Sequence, residues 1–355
     1  VKEKLKMNLQ LFALDGLDEP IFTQDNIDAY MGEDETLEGY LGDVLFPNSD
    51  QDDNKVKITK NGKARVPSAY VQHFGTEALP MGREASAEEK YEEMDPIKIK
   101  MNMSAELYYK YVKGNISKNF AEQMLEEIVK IPKSIKDKIE FMRFEAFSGE
   151  IVLDEATGYK KTVKLLLDAE HKANIETAAD KWSDTVNSEP IEDMIHWQEV
   201  AELEDTARAV TSRKIVRYLL KNENIRAEYF GDSISPHKRL TLTQLNDYLE
   251  GLGLPRIVTY EKKGWVQAKG GIVIKKRFLP EDKFIMFGES APGQTLRTES
   301  VEQIKGKNIV TVEDMIAVKQ YEDDESESIT WKGATIQLPI LSEDGLENVF
   351  NATVI

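Results

Sequence analysis

Four histidines, His73, His171, His196 and His237, are the side chains best suited to hold a metal or shuttle a proton, and each stands in a different segment. None has a second His or a Cys at ligand spacing, so no zinc site is predicted. Adjacent carboxylates occur at Glu88-Glu89 and Glu92-Glu93. General acid–base work needs one carboxyl with a raised pKa in a dry pocket, and these pairs sit in a polar stretch; they are expected to form a solvated acidic loop. Lys269-Gly270-Gly271 sets a cation beside a glycine pair but lacks the Gly-x-x-x-x-Gly-Lys-Ser/Thr spacing that cradles phosphate, so a turn between strands is predicted there. Neither a Gly-x-Ser-x-Gly elbow nor a Gly-x-Gly-x-x-Gly loop occurs. The residue types thus predict no catalytic, cofactor or metal site.

Composition narrows the class. The 355 residues suffice for two ordinary domains or for one body with large excursions, and 41% apolar residues suffice for a core. There is no cysteine, which removes disulfides and thiolate sites, makes the fold indifferent to the redox state of its surroundings and points to a cytosolic birthplace. The apolar stretch Leu9–Leu14 is too short for a signal-peptide core or a membrane span, so neither secretion by that route nor membrane embedding is expected. A net charge of −18 opposes any general grip on nucleic-acid phosphate.

Charge is unevenly placed. From Met7 to Asn54 there is no Lys or Arg among thirteen acids, including Asp25, Asp28, Glu33, Asp34 and Glu35. The next segment, residues 55–65, carries Lys55, Lys57, Lys60, Lys63 and Arg65 and no acid. A solvated tail and a lysine-edged hairpin explain this pattern as readily as an arm that lies on a complementary surface of another copy.

Periodicity supplies the elements. Val56 and Ile58 alternate before the Asn61-Gly62 turn dipeptide, and residues 96–103 alternate again, which predicts a long two-stranded ribbon that needs a surface to lie on. Ile116, Phe120, Met124 and Ile128, then Ile135, Ile139, Met142 and Ala146, mark a long helix with a kink or break at Pro132. Residues 150–168 form a hairpin about Ala156-Thr157-Gly158. A helix over 188–203, capped by Ser188 with Ile191 and Ile195 on one face, precedes helices over 212–230 and 241–254. Strands are predicted at 256–261, 264–268, 271–278 and 284–287, and the end alternates through a Lys332-Gly333 turn. The order predicts an α+β body whose first and last parts share a sheet.

One stretch carries a resemblance. Phe278-Leu279-Pro280, the strand Phe284 to Gly288 and then Leu296-Arg297-Thr298 resemble a segment of the phage lambda major head protein family, the capsid protein E group. Residues 7–13 resemble the start of major capsid proteins of tailed phages, 207–226 are similar to the family's strand-then-helix, and 329–354 to its last strands. The resemblance implies the Hong Kong 97-type capsid fold. It implies an N-terminal arm (1–54), an extended E-loop (55–103), a peripheral domain with a spine helix (104–182), an axial domain (183–307) and returning peripheral strands (308–355). It further implies hexamers and pentamers of an icosahedral shell enclosing double-stranded DNA without sequence-specific binding. Scaffolding, portal and decoration proteins are the implied partners, the virion capsid the location, and the host bacterial cytoplasm the place of assembly. Lys55, Lys57, Lys60, Lys63 and Arg65 would then form one assembly interface, and Asp25, Asp28, Glu33, Asp34 and Glu35 another. In relatives whose shells are welded by a lysine–asparagine bond, Lys60 or Lys63 and Asn348 or Asn351 are the matching residue types here. Two readings from other classes stand beside this one: a carboxylate-dependent hydrolase using acids between 150 and 260, and an interaction module built on the acidic Met7–Asn54 segment.

Overall fold

The computed structural model describes residues 39–61, 87–103, 118–154, 156–204, 206–231, 238–268, 270–306, 309–323 and 328–355, with 106, 109 and 113 besides. The described chain opens with a short helix, α1 (Leu41–Leu45), and strands β1 (Asn48–Asp50), β2 (Lys55–Asn61), β3 (Ala87–Glu93) and β4 (Pro96–Asn102). The spine helix α2 (Lys118–Ala146) leads to the hairpin β5 (Glu150–Asp154) and β6 (Lys160–Lys164), then β7 (Lys172–Asn174). A mixed stretch follows: α3 (Pro190–Val200), β8 (Arg208–Thr211), α4 (Arg213–Leu219), α5 (Glu223–Phe230), α6 (Leu242–Gly251) and β9 (Arg256–Thr259). The chain returns through β10 (Lys263–Gln267), β11 (Val273–Arg277), β12 (Lys283–Phe287), β13 (Gly293–Thr298) and α7 (Val301–Lys305). It closes with β14 (Ile309–Glu313), β15 (Ile316–Asp323), β16 (Ser328–Leu341), α8 (Glu343–Glu347) and β17 (Val349–Thr353).

Two sheets organise these elements. The first runs β1-β13-β16-β15-β14, with β4 also on β16, so early and late segments do share a sheet. Strand β16 manages this by length: its first half pairs with β15 and β4, and its second half with β13. The second sheet runs β7-β17-β12-β8-β9, so the last strand pairs with β12 rather than rejoining the first sheet. Strand β12 links two of the three hydrophobic clusters. Phe284 and Met286 pack with Trp182, Trp197 and Phe350 in one cluster, whereas Ile285 and Phe287 pack with Phe144 and Phe147 in another. Alternation along a strand buried on both faces has this result.

The spine lies on the first sheet through Ile128, Ile131, Ile135 and Ile139, which pack with Val318, Ile329 and Trp331. Each such isoleucine contributes about 1.5–3 kcal/mol of transfer free energy. The helix passes unbroken through Pro132, where a break was one expectation. Burial of the flanking isoleucines outweighs the one hydrogen bond that proline removes. The expected Lys332-Gly333 turn is also absent, because both residues lie inside β16. Gly333 is there for clearance: a Cβ would come within 2.3 Å of Ile131 Cγ2 and 3.0 Å of Ile135 Cδ1.

Other differences are local. The first ribbon strand pairs with β3, not with residues 96–103, which instead join β16 as β4. Its partner AEEKYEE has no apolar alternation, and the register sets Glu93 opposite Lys55 and Glu88 opposite Lys60, pairings that hydrophobic period does not detect. Ser188 does not cap α3; its hydroxyl donates to the Asp184 carbonyl oxygen, Glu189 is the N-cap position, and Pro190 occupies the first turn. Ile195 is exposed, and Met194 and Trp197 are the residues that face the core with Ile191. The single helix expected over 212–230 is two, because Asn222 accepts a hydrogen bond from the Ile225 N–H and starts a new N-terminus. Thr241 and Gln244 form a reciprocal capping box on α6.

Candidate assembly surfaces

The ribbon is the first candidate surface. On β2, Val56 and Ile58 are buried in the main core, so the ribbon's base lies on its own body. Lys57 pairs with Glu89 across the strands at 2.6 Å, Lys55 stands opposite Glu93, and Lys60 pairs with Asp168. Lys90 of β3 pairs with Glu92 of the same strand. Lys161 fastens the base from the β5–β6 hairpin by donating to Asp95 and to the Glu93 carbonyl oxygen, each at 2.7 Å. Tyr91, 70% exposed, is the large side chain this ribbon turns to solvent among the described residues. Lys63 and Arg65 lie outside the described residues.

A second candidate is the root of the arm, and no sequence pattern had singled it out. Asp137, Glu140 and Arg143 follow one another at three-residue spacing on the spine and meet residues far along the chain. The Tyr40 hydroxyl donates to Asp137 Oδ1 at 2.6 Å, and the Tyr260 hydroxyl to Glu140 Oε1 at 2.7 Å. The Gly42 N–H reaches the same Glu140 oxygen at 3.1 Å. Arg143 donates to Thr295 Oγ1 at 3.0 Å and pairs with Asp43 and Glu140. Burial pushes the carboxyl pKa values of Asp137 and Glu140 up, opposed by these donors, and raises both tyrosine hydroxyls through burial and the neighbouring carboxylates. Gly42 allows the approach, since a Cβ would lie 2.1 Å from Glu140 Oε2. Asp25, Asp28, Glu33, Asp34 and Glu35 lie outside the described residues.

The third is the β10–β11 hairpin. From Lys262 to Phe278 the chain has six cations and no acid. Gly264 faces inward against Phe278 and Phe141, where a Cβ would come within about 3 Å of both rings. Trp265 and Lys275, paired across the hairpin, face outward with Val273.

Chemistry finds little footing. A groove of about 740 Å³ runs beside the spine, bordered by Lys98, Lys138, Phe141, Tyr159 and Trp265. Besides Asp137 and Glu140, burial raises the carboxyl of Asp193, and all three are held in packed surroundings, Asp193 by the Trp182 indole N–H at 2.8 Å. No group of three or more metal-ligating side chains occurs among the described residues, and no described helix is long and apolar enough to cross a membrane. His171 Nδ1 lies 2.9 Å from the Val349 carbonyl oxygen, and His196 is exposed; His73 and His237 lie outside the described residues. Asn351 is buried and its amide donates to the Phe147 carbonyl oxygen at 3.0 Å.

The model of the family described as phage major capsid protein E matches residues 23–344. The chain belongs to that family. No curated protein matches it. Among solved structures, a chain described as a prophage capsid protein of E. coli CFT073 is similar over 94% of this chain and 99% of its own, with 14% identity and a TM-score of 0.58. A phage-related protein from Bordetella bronchiseptica RB50 is similar over 94% and 96%, with 16% identity and a TM-score of 0.49. The capsid of Myoviridae phage XM1 is similar over 91% and 98%, with 10% identity and a TM-score of 0.46. The fold is accordingly the Hong Kong 97-type capsid fold. As a member of this family, the chain is a structural protein of the virion capsid, and copies of it assemble; the hydrolase reading finds no support in the family.

Proposed function

We propose that this capsid protein forms hexamers and pentamers that close an icosahedral shell around packaged double-stranded DNA. The observation that supports this best is the family match over 23–344 on a body with a 29-residue spine and a two-stranded ribbon at its edge. Head-to-tail contacts of one surface with another close into rings when the rotation permits, and several modest contacts per copy reinforce one another. On this reading the arm is 1–54, the E-loop 55–103, the peripheral domain 104–182 with 308–355, and the axial domain 183–307. The second sheet fits an axial unit that borrows β17 from the chain's end. Assembly takes place in the host bacterial cytoplasm with scaffolding and portal proteins, and a decoration protein can dock afterwards. An acidic shell lets DNA slide in without being gripped.

The cations Lys55, Lys57, Lys60, Lys63 and Arg65 mark the ribbon face that lies over a neighbour. The acids Asp25, Asp28, Glu33, Asp34 and Glu35 mark the arm's contact. Reversing the five cations to Glu should abolish shells in negative-stain electron micrographs while leaving the circular dichroism of the unassembled chain near that of the parent. Because Lys57 and Lys60 also pair within the chain, a second variant, Lys63→Glu with Arg65→Glu, separates assembly from ribbon stability. Normal shells from both variants would exclude a charge contact at this face.

A further inference from the structure

We propose that the acidic segment 7–38 docks on the outer face of the β10–β11 hairpin of its own chain, covering Trp265, Lys263, Lys275 and Val273. Three observations meet there. The hairpin is a two-stranded sheet whose outward face carries a 59% exposed Trp265 and a 58% exposed Val273, a patch that in solution favours a cover. Its other three tryptophan counterparts in the chain, Trp182, Trp197 and Trp331, are at most 4% exposed.

The second observation is charge. Lys263 and Lys275 flank Trp265 on this face and have no carboxylate within ion-pair distance among the described residues, and Lys275 instead lies 5.3 Å from the Trp265 ring centre. Lys57 and Lys60 of the ribbon, by contrast, pair with acids of their own chain. Residues 7–38 hold nine acids and no cation, interleaved with apolar side chains such as Phe12, Ile21, Phe22 and Ile27. An acidic and apolar segment is the complement of a face made of lysines and an indole.

The third is where the arm leaves the body. Tyr40, one residue into the described chain, lies under the Lys262 ammonium at 3.8 Å from its ring centre and 5.7 Å from the Phe278 ring. Its hydroxyl shares Asp137 with the backbone N–H of Trp265. The arm therefore emerges at the foot of the hairpin, and 32 residues of reach are ample for a face a few residues away. Docking in cis keeps the tryptophan face covered until another copy displaces the arm.

The test is quenching of Trp265 by acrylamide in the full-length chain, taken as the difference from Trp265→Phe so that the buried indoles cancel. Protection in the parent, independent of protein concentration, is expected. Neutralising Asp25, Asp28, Glu33, Asp34 and Glu35 to Asn or Gln should raise the Trp265 quenching constant about threefold, as should Lys263→Glu with Lys275→Glu or raised salt. Combining the hairpin reversals with arm acids changed to Lys should restore protection, which a mere loss of folding would not do. Equal quenching in every variant would overturn the proposal. So would protection that grows with concentration, which assigns the face to a second copy, or protection seen only with added DNA, which assigns it to phosphate.

Discussion

At the scale of single residues, the arm root shows how a buried polar cluster ties distant segments together. Gly42 is the tightest point: Gly42→Ala would drive a methyl into Glu140 and Arg143, and should destabilise by about 1–3 kcal/mol in a urea titration. Glu140 sets a pH dependence. Burial holds its folded pKa above the ordinary 4.5, so in the interval above 4.5 the native chain keeps a proton that the unfolded chain has lost. Stability from this group is present below that interval and is lost as pH rises through the folded pKa. Relative to Glu140→Gln, the parent should lose stability as pH rises from about 4.5, measured by urea unfolding at a series of pH values. A gain instead would mean that Arg143 and the tyrosine donor outweigh burial. Little of this was legible in the sequence, since Tyr40, Asp137, Glu140 and Tyr260 come together only through long-range packing.

At the scale of elements, local signals worked where one physical cause dominated. The spine's apolar stripe and the strand Lys283–Phe287 were legible because helical period and an uninterrupted apolar run are local properties. Strand β3 was not, because AEEKYEE has no apolar period and only two of its glutamates, Glu88 and Glu93, stand opposite lysines of β2. Gly333 was misjudged because glycine marks both turns and close approaches, and only the neighbour decides which. Gly333→Ala should push the spine off the sheet, with a loss of about 1–3 kcal/mol in chemical denaturation. An unchanged midpoint would mean that Ile131 and Ile135 shift freely.

At the scale of the whole molecule, strand β12 makes two cores one unit, with alternate side chains committed to each. The described body should therefore unfold in a single transition, with tryptophan fluorescence from Trp182 and Trp197 coinciding with the far-UV circular dichroism. Two separated midpoints would show that the sheets are independent. By itself the sequence determined the class of protein: an acidic charge, an α+β order of elements and the motifs shared with the capsid family. Those are matters of residue type and spacing. Only the tertiary structure decided which strand partners which, that Lys57 and Lys60 pair within the chain while Lys263 and Lys275 have no carboxylate partner among the described residues, and that Tyr40 lies at the foot of the β10–β11 hairpin. Pairing and exposure depend on residues hundreds of positions apart, and local pattern does not encode them.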